Sequence, residues 1–245
     1  MDFMPLPFVE VFRRKSGFDY ESTAVLDIWK SMSVKENFKS ANTFETVVLL
    51  KYMPKELMDE DTVLLINNRF YYIDSIICDD LSSGLITISG KSLFAKSGKR
   101  IVYRIYNQTK RPELICYDHL RNEVVSPSDA KRKISYLSVE QPPAITSSNI
   151  SYQNSYGNVE EEIEGLCESY NFGFDEIPIS NGRIGSTSNG QVGTNIRFRK
   201  SEDVSSVVQF SAEFENVTNE SLEKNNYDEA TTALIYGEGE GKARK

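Results

Sequence analysis

The stretch Val63-Leu-Leu-Ile-Asn-Asn-Arg-Phe-Tyr-Tyr-Ile73 decides the fold of the first hundred residues. Its two arms are rich in β-branched and aromatic residues, which favour strands. Between the arms, the pair Asn67-Asn68 tolerates the positive φ angles of a tight turn. The stretch therefore predicts a β-hairpin.

Further strand patterns lie on both sides of this hairpin. Residues 24–34 and 44–52 have a similar β-rich composition, with polar breaks between them. In residues 85–89, Ile86 and Ile88 share one face, which is the period of a half-buried strand. These segments predict an antiparallel meander that is long enough to curl into a small barrel.

The second arm of the hairpin and its extension carry apolar side chains on both faces. By the period of two, one face carries Phe70, Tyr72 and Ile76, and the opposite face carries Tyr71, Ile73 and Ile77. We therefore expect both faces to be covered. One face can form a barrel interior, and the other needs a second layer from this chain or from a neighbouring subunit. Periodicity leaves both sources open.

The middle of the chain changes to a helical pattern. After Pro112, apolar residues recur at steps of three and four as far as Val124. A second helix is predicted over Val159–Tyr170, with Asn158 as its N-cap and three glutamates in its first turn. The apolar stripe of this second helix consists of Val159, Ile163, Leu166 and Tyr170.

Two segments of this region read as loops, and strands follow them. Residues 141–156 are rich in Ser, Asn and Pro and predict a connection over the surface. Residues 180–194 contain four glycines among Ser and Asn and predict a mobile loop. The strand period then returns at Ile196 and Phe198, continues in residues 207–214 after a turn, and ends with residues 233–236.

Length and composition place the chain among ordinary folded proteins. Its 245 residues, of which 39% are hydrophobic and 26% charged, suit one large domain or two small ones. No apolar run approaches the ~20 residues that span a bilayer. The start lacks the basic flank of a secretion signal. We therefore expect no membrane anchor, and synthesis and folding in a cytoplasm.

The charge is negative overall but unevenly distributed. The net charge of −8 disfavours a protein that grips nucleic acid by its phosphates. Residues 91–133 nevertheless hold eleven Lys or Arg against four Asp or Glu, a local surplus of seven positive charges. No aromatic residues are regularly interleaved with these charges, so we favour a solvated face or a contact with an acidic neighbouring subunit over DNA binding.

The residues best suited to catalysis or metal binding are few. Cys78, Cys116 and Cys167 are an odd number at wide spacing, which argues against a disulfide framework and a zinc site. We interpret all three as small buried apolar residues. His119, the only histidine, follows Cys116 by three residues on a predicted helix, but nothing nearby completes a ligand set. A partly buried structural histidine is the favoured interpretation.

Two other motifs resemble a phosphate-binding loop and a catalytic carboxylate pair, but each lacks a feature that the chemistry needs. Gly237-Glu-Gly-Glu-Gly241 has the glycines of a phosphate loop, but its glutamates repel phosphate and no Gly-Lys-Ser/Thr follows. The carboxylates of residues 160–164 are expected on a solvated helix face, without the converging pair that a glycosidase needs. The sequence therefore predicts no enzyme: no catalytic residue, no cofactor-binding residue or cofactor, and no metal ligand.

Four segments, taken in order, resemble a known family. The first is Leu26-Asp-Ile-Trp29 with Thr43-Phe-Glu-Thr46, and the second is Ile86-Thr-Ile-Ser-Gly90 with Gly98-Lys-Arg-Ile101. The third is the helix from Val159 with residues 195–199 and Val208-Gln-Phe-Ser211, and the fourth is Tyr236-Gly-Glu-Gly-Glu-Gly241 with Arg244. Their order and spacing resemble the tail-tip hub proteins of long-tailed phages, the siphophage tail family found also in prophages and phage-derived contractile particles.

The resemblance implies a particular architecture. The expected fold is α+β and mainly β, with two tube-type antiparallel β-barrel domains and a small helical insertion. Residues 1–106 would form the N-terminal barrel, residues 107–192 a helix-containing middle region with the flexible loop 180–194, and residues 193–245 the second tube domain. Family members usually continue beyond the glycine motif, whereas this chain ends at Lys245, so the pairing of its last strand is left open.

The resemblance also implies a function. A structural hub subunit of the tail tip or baseplate would form a homotrimer ring, join the tail tube to distal tail and tip or fibre proteins, and surround a channel that DNA passes without specific binding. Its location would be the virion tail, after assembly in the host cytoplasm. The alternative is a receptor- or carbohydrate-binding module that uses Tyr152, Tyr156 or the loop 180–194. The lesser alternative is a cell-wall hydrolase.

Overall fold

Strands provide most of the regular structure. The computed structural model describes residues 9–17, 19–59, 61–78 and 82–202. The strands are β1 (Val9–Ser16), β2 (Asp19–Leu26), β3 (Ser31–Lys35), β4 (Thr43–Leu49), β5 (Val63–Ile66), β6 (Arg69–Ile77), β7 (Leu85–Ser92), β8 (Tyr106–Lys110), β9 (Leu137–Val139), β10 (Ile150–Asn154), β11 (Phe172–Ser180), β12 (Arg183–Ile184) and β13 (Gly190–Lys200). The α-helices are α1 (Pro112–His119) and α2 (Val159–Tyr170), and a π-helical turn, Leu120–Val125, continues α1. The predicted α+β, mainly β class is confirmed.

One large sheet organises the described residues. Its strand order is β12-β11-β13-β2-β1-β5-β6-β7-β4-β3, and β9 pairs in parallel with β13. The other pairs in the sheet are antiparallel, and β8 with β10 forms a separate two-stranded sheet. Within the described ranges, β12 and β3 are the ends of the path and no pair joins them. The sheet is therefore open where the sequence predicted closed barrels.

The predicted hairpin forms as expected. Asn67 and Asn68 have φ angles of 48° and 61°, and Ile66 pairs with Arg69 across the turn. Two consecutive residues with positive φ give the turn the twist that matches the flanking strands. The central β5–β6 pair of the sheet is thus specified locally by the sequence.

A β-bulge in β6 changes the predicted faces of this strand. The pairing with β7 shifts between Ile73 and Ser75, so that Ile76 lies opposite Ile88. A slip of one residue moves later side chains to the other face. Ile76 therefore packs with Tyr71 and Ile73, and its predicted place beside Phe70 and Tyr72 is wrong.

Both faces of the sheet are covered by the chain itself. On one face, Phe12, Leu65, Phe70 and Tyr72 join a core with residues of α1, α2, β11 and β13. The opposite face forms a second core, which comprises Val9, Val11, Leu26, Phe44, Val48, Leu57, Leu64, Ile66, Tyr71, Ile86 and Ile88. The cover that the sequence analysis expected on both faces thus comes from this chain.

The second helix follows the sequence prediction closely. The side chain of Asn158 accepts hydrogen bonds from the backbone N–H groups of Glu160 (2.9 Å) and Glu161 (3.3 Å). Val159, Ile163 and Leu166 are buried as predicted. Tyr170 is exposed, however, and Cys167 takes its place in the buried stripe. In the described part of the chain, no helix is long and apolar enough to cross a membrane.

Removal of the N-cap of α2 is expected to destabilise the protein. Asn158→Ala loses the cap and also the hydrogen bond from Asn158 Nδ2 to the carbonyl oxygen of Gly98 (3.0 Å). We expect a loss of about 1–2 kcal/mol in the free energy of unfolding, measured by urea denaturation with an unchanged slope. Asn158→Asp keeps the capping oxygen and is the matched control, with a smaller loss. Equal losses in both variants would contradict the capping role.

Several predicted segments differ in the structure. Residues 24–34 are not one strand but β2 and β3 with a break between them, and residues 141–156 contain β10. In place of an irregular loop, residues 180–194 contain β12 and the start of β13. Gly193 lies within β13. A glycine is required at this position, because an added Cβ would overlap the carbonyl oxygen of Tyr136. Close backbone approach, rather than a loop, explains this glycine.

Three predicted features lie outside the described residues: the strands at residues 207–214 and 233–236, and the motif Gly237-Glu-Gly-Glu-Gly241. The elements above all belong to one compact unit, Met1–Ser201. The strands predicted beyond this unit stay predictions.

Candidate functional site

His119 lies in a buried chain of hydrogen bonds. Its Nε2 is 2.9 Å from Tyr152 Oη, and Tyr152 Oη donates to Glu162 Oε2 at 2.9 Å. Asn154 Nδ2 also donates to Tyr152 Oη, at 3.0 Å. Because the tyrosine proton is directed to the carboxylate, His119 Nε2 must carry a proton and donate to Tyr152. The histidine thus links α1 to β10 and, through Tyr152, to α2.

The environment of His119 keeps the imidazole neutral. Burial lowers the pKa of His119 to about 4, against the opposing effect of nearby carboxylates such as Glu162. Cys116 is fully buried on the same helix, and burial together with the neighbouring Cys167 raises the pKa of its thiol. A protonated thiol beside an inaccessible imidazole is a poor nucleophile. This arrangement packs the two helices together.

The three cysteines differ in exposure. Cys116 and Cys167 are buried, whereas Cys78 is exposed directly after the end of β6, so its predicted burial is wrong. Among the residues that the structure describes, no group of three or more His, Cys, Asp or Glu side chains is placed to hold a metal ion.

Thiol labelling should separate these cysteines. In the native protein, iodoacetamide is expected to alkylate Cys78 within minutes, because only this thiol of the three is exposed. Cys116 and Cys167 should react only in denaturant. Peptide mass spectrometry measures the three sites separately, and Cys78→Ser is the control that should show no fast reaction. Fast native labelling of Cys116 would contradict the described packing of α1 against α2.

The glutamates of α2 are less solvated than the sequence predicted. Among Glu160, Glu161, Glu162 and Glu164, Glu161 is exposed and the other three are half-buried. Glu164 accepts a hydrogen bond from the backbone N–H of Ala41 at 2.9 Å, and burial raises the pKa of Glu160 to about 7. The carboxylates of Glu162 and Glu164 have separate partners, Tyr152 and Ala41, and do not converge on one site. These two contacts tie α2 to the segment before β4 and to β10.

A buried carboxylate, Glu176 on β11, escaped the sequence analysis. Its Oε1 accepts hydrogen bonds from Asn42 Nδ2 (3.0 Å) and the Ser92 hydroxyl, and its Oε2 accepts from the Phe94 N–H (3.1 Å). Burial raises its pKa to about 7. The alternating burial of β11 places Glu176 in an inward position. Recognition of this strand in the sequence would have exposed the charge as unusual.

A second buried carboxylate, Glu123, fixes the basic region of the chain. It accepts hydrogen bonds from the backbone N–H groups of Tyr103 (3.2 Å) and Arg104 (3.4 Å) and pairs with Arg132 at 2.8 Å. Arg132 in turn donates to the carbonyl oxygen of Ile101 at 2.5 Å. Residues 99–105 are thereby held in an extended path against the π-helical turn.

This extended segment presents an apolar surface to solvent. Val102 points inward and is fully buried, while Ile101, Tyr103 and Ile105 are 48%, 62% and 73% exposed. Val102 exchanges backbone hydrogen bonds of 2.7 Å with Tyr156 and Gly157, which places Tyr156, 65% exposed, opposite Tyr103. We call the four exposed residues, Ile101, Tyr103, Ile105 and Tyr156, the Tyr103 patch.

Positive charge frames the Tyr103 patch. Lys99, Arg104, Lys131 and Lys133 are exposed on the same and the adjoining segment. None of these four forms a salt bridge with another described residue. The guanidinium carbon of Arg132 lies 5.2 Å from the ring centre of Tyr103. This contact connects the two basic segments. The sequence had marked this region by its charge but not by its exposed apolar residues.

Fold and site together define a β-sheet protein. Its buried histidine, cysteines and glutamates pack and join the elements of the fold, and its exposed patch suits protein contacts. Residues 9–245 match the family described as Siphovirus ReqiPepy6 Gp37-like protein. The match spans nearly the whole sequence, and the chain belongs to this family of siphovirus tail proteins. A comparison with curated proteins gives no match.

Solved tail proteins have distant similarity to this chain. The prophage tail protein gp18 from Listeria monocytogenes EGD-e is 12% identical with a TM-score of 0.49, over 80% of this chain and 51% of the solved one. The tail protein from Neisseria meningitidis MC58 is 14% identical with a TM-score of 0.38, over 73% and 51%. The 43 kDa tail protein of prophage MuSo2 from Shewanella oneidensis is 11% identical with a TM-score of 0.39, over 81% and 56%. This chain thus spans about half the length of each.

Proposed function

We propose that this protein is a structural hub subunit of a phage tail tip or baseplate. In this proposal, three copies form a ring that joins the tail tube to distal tail and tip or fibre proteins. The observation that carries the proposal is the family match over residues 9–245, which makes the chain a siphovirus tail protein. The position at the tip, the ring and these partners are the parts that we add.

The described fold is compatible with a load-bearing wall element. The strands β2-β1-β5-β6-β7-β4-β3 form a continuous sheet with an apolar core on each face. Close packing on both faces makes such a sheet rigid. We propose that this sheet is the first tube-type domain and that residues 193–245 contribute to a second one. The division of the chain at 106/107 and 192/193 stays a prediction, whereas the sheet of the described residues is open.

Charge supports a channel that DNA passes without binding. The net charge of −8 repels phosphate groups over a Debye length of ~8 Å at physiological salt. In the proposed ring, the basic region therefore faces away from the bore. Function in this role needs no cofactor, and the expected location is the virion tail after assembly in the host cytoplasm.

Purified tails provide the test. Quantitative mass spectrometry should find about three copies of this chain per tail, independent of tail length, as a closed ring requires. Antibody labelling in electron micrographs should fall at the distal end. Tails made without the chain should lack a tip or fail to assemble. A copy number that grows with tail length, or absence of the chain from particles, would refute the hub. Binding of isolated chain to host glycans would favour the receptor-binding alternative.

A further inference from the structure

We propose that the Tyr103 patch docks against an acidic face of a second copy of this chain, in a head-to-tail contact. The inference rests on the proposed ring and names the surface that would close it. Its basis is the exposed apolar patch, the basic side chains around it that form no salt bridge with another described residue, and the charge of the rest of the chain.

The apolar side chains of the patch are as exposed as the largest apolar patch of a typical soluble monomer, which is often a functional surface. From the exposed fractions of Ile101, Tyr103, Ile105 and Tyr156, the four residues present roughly 500 Å² of accessible surface, the tyrosine hydroxyls and backbone atoms included. Contiguous apolar patches on soluble monomers reach about 300–600 Å² and are often functional. A stable interface buries about 800 Å² on each partner, so the patch and its basic rim together are large enough.

The geometry of the patch is fixed before a partner arrives. Glu123 holds the backbone N–H groups of Tyr103 and Arg104, and Arg132 holds the carbonyl oxygen of Ile101. A surface with a preset backbone loses little conformational freedom on binding. Tyrosines add large contact area with few rotatable bonds, which suits them to the centre of an interface.

Charge identifies the occupant as another copy. Residues 91–133 carry a surplus of seven positive charges, and the whole chain carries −8, so the remaining residues carry −15. The remaining residues of a second copy are therefore acidic as a set, and their net charge complements the rim of Lys99, Arg104, Lys131 and Lys133. Complementary potentials favour encounter and fix orientation.

Charge also selects the symmetry of the contact. A two-fold contact centred on the patch places the patch of one copy against the patch of the other, and two basic rims then repel each other. Pairing the patch with a different, acidic face gives a heterologous contact. A heterologous contact repeats from copy to copy and closes into a ring when the rotation allows it. The direction of the contact thus agrees with the proposed assembly.

A matched pair of double variants tests the patch. Arg104→Glu with Ile105→Ser alters the patch, and Arg183→Glu with Ile184→Ser alters the same exposed residue pair on β12. Sedimentation velocity over a range of concentrations, at about 0.05 M and about 0.5 M NaCl, measures self-association. We expect the wild type and the β12 control to associate, more weakly at high salt. The patch variant should associate at least about tenfold more weakly at an unchanged melting temperature.

A mixing experiment tests the head-to-tail direction. The patch variant keeps its acidic face, so an excess of it should bind wild-type chains and shorten their oligomers. A two-fold contact predicts no such effect. Wild type that stays monomeric at both salts, or a patch variant that associates like the control, would overturn the assignment. So would patch-dependent binding to duplex DNA without self-association. The hub survives these results if isolated tails still contain three copies at the tip, so the two proposals fail separately.

Discussion

Replacement of Gly90 by alanine is expected to lower the free energy of unfolding by about 3 kcal/mol or more. Gly90 lies in β7 between Phe44 on β4 and Ile73 on β6. An added Cβ would overlap the backbone carbonyl oxygen of Tyr72 and lie 2.6 Å from Cε1 of Phe44. The oxygen belongs to a paired strand and cannot move away alone, so relief requires separation of β6 from β7.

Thermal unfolding followed by circular dichroism measures this effect. For a unit of about 200 residues, 3 kcal/mol corresponds to a fall of roughly 6–12 °C in the melting temperature. Gly165→Ala is the matched control, because nothing lies within 4 Å of the added Cβ at this exposed position of α2. Alanine there should stabilise by about 0.5–1 kcal/mol. Equal and small effects at both glycines would contradict the described packing of β7.

Replacement of Glu176 by alanine should have the second large effect. Asn42, Ser92 and the Phe94 N–H donate to this buried carboxyl group, and the substitution leaves these buried donors without their acceptor. We expect a loss of about 3 kcal/mol in the free energy of unfolding at about pH 5. The position joins β11 to β7 and to the segment before β4, so denaturant melting should remain cooperative but move to lower concentration.

The stability contribution of Glu176 should depend on pH. Burial raises its folded-state pKa to about 7 from a usual value of 4.5, so the folded state favours the protonated carboxyl. Its contribution is therefore full below about pH 4.5 and falls as the pH rises through 7, by up to about 3 kcal/mol. His119, with a pKa lowered to about 4, acts in the opposite direction below about pH 6.5.

Comparison with Glu176→Gln isolates this contribution, because glutamine does not ionise and His119 is common to both proteins. The unfolding free energy of the wild type, taken relative to that of Glu176→Gln, should fall by about 2–3 kcal/mol from about pH 5 to about pH 8. Glu164, whose pKa is also raised by burial, remains in both proteins and cancels. Glu160 differs slightly between the two proteins, because the charge of Glu176 is the smallest of the causes that raise its pKa. A difference that stays constant over this range would contradict the raised pKa.

Local signals made much of the fold predictable. Asn67-Asn68 predicted the β5–β6 hairpin, and Asn158 with the glutamates after it predicted the start of α2. Both predictions succeed because turn and cap interactions act within a few residues. The bulge that moves Ile76 was not predictable, since it depends on the pairing of β6 with β7. The glycines of residues 180–194 suggested a loop because close approach to Tyr136 is a tertiary contact.

The candidate site was predictable only in part. The charge count marked residues 91–133 as a contact region, and the alternation of Ile101, Tyr103 and Ile105 was present in the sequence. The side of the segment that faces water is set by Glu123, which lies about twenty positions further along the chain. Its carboxylate accepts hydrogen bonds from the backbone N–H groups of Tyr103 and Arg104. A charge buried by tertiary packing, such as Glu123 or Glu176, carries no local signal of its burial.

Electron cryo-microscopy of isolated tails tests the central claim most directly. A map of the distal end should contain three copies of this chain around a continuous bore, below the tail tube, with the sheets of residues 9–200 in the wall. The Tyr103 patch should be covered by the adjoining copy. A map in which the chain sits on the outside of the tail, or surrounds no bore, would contradict the account.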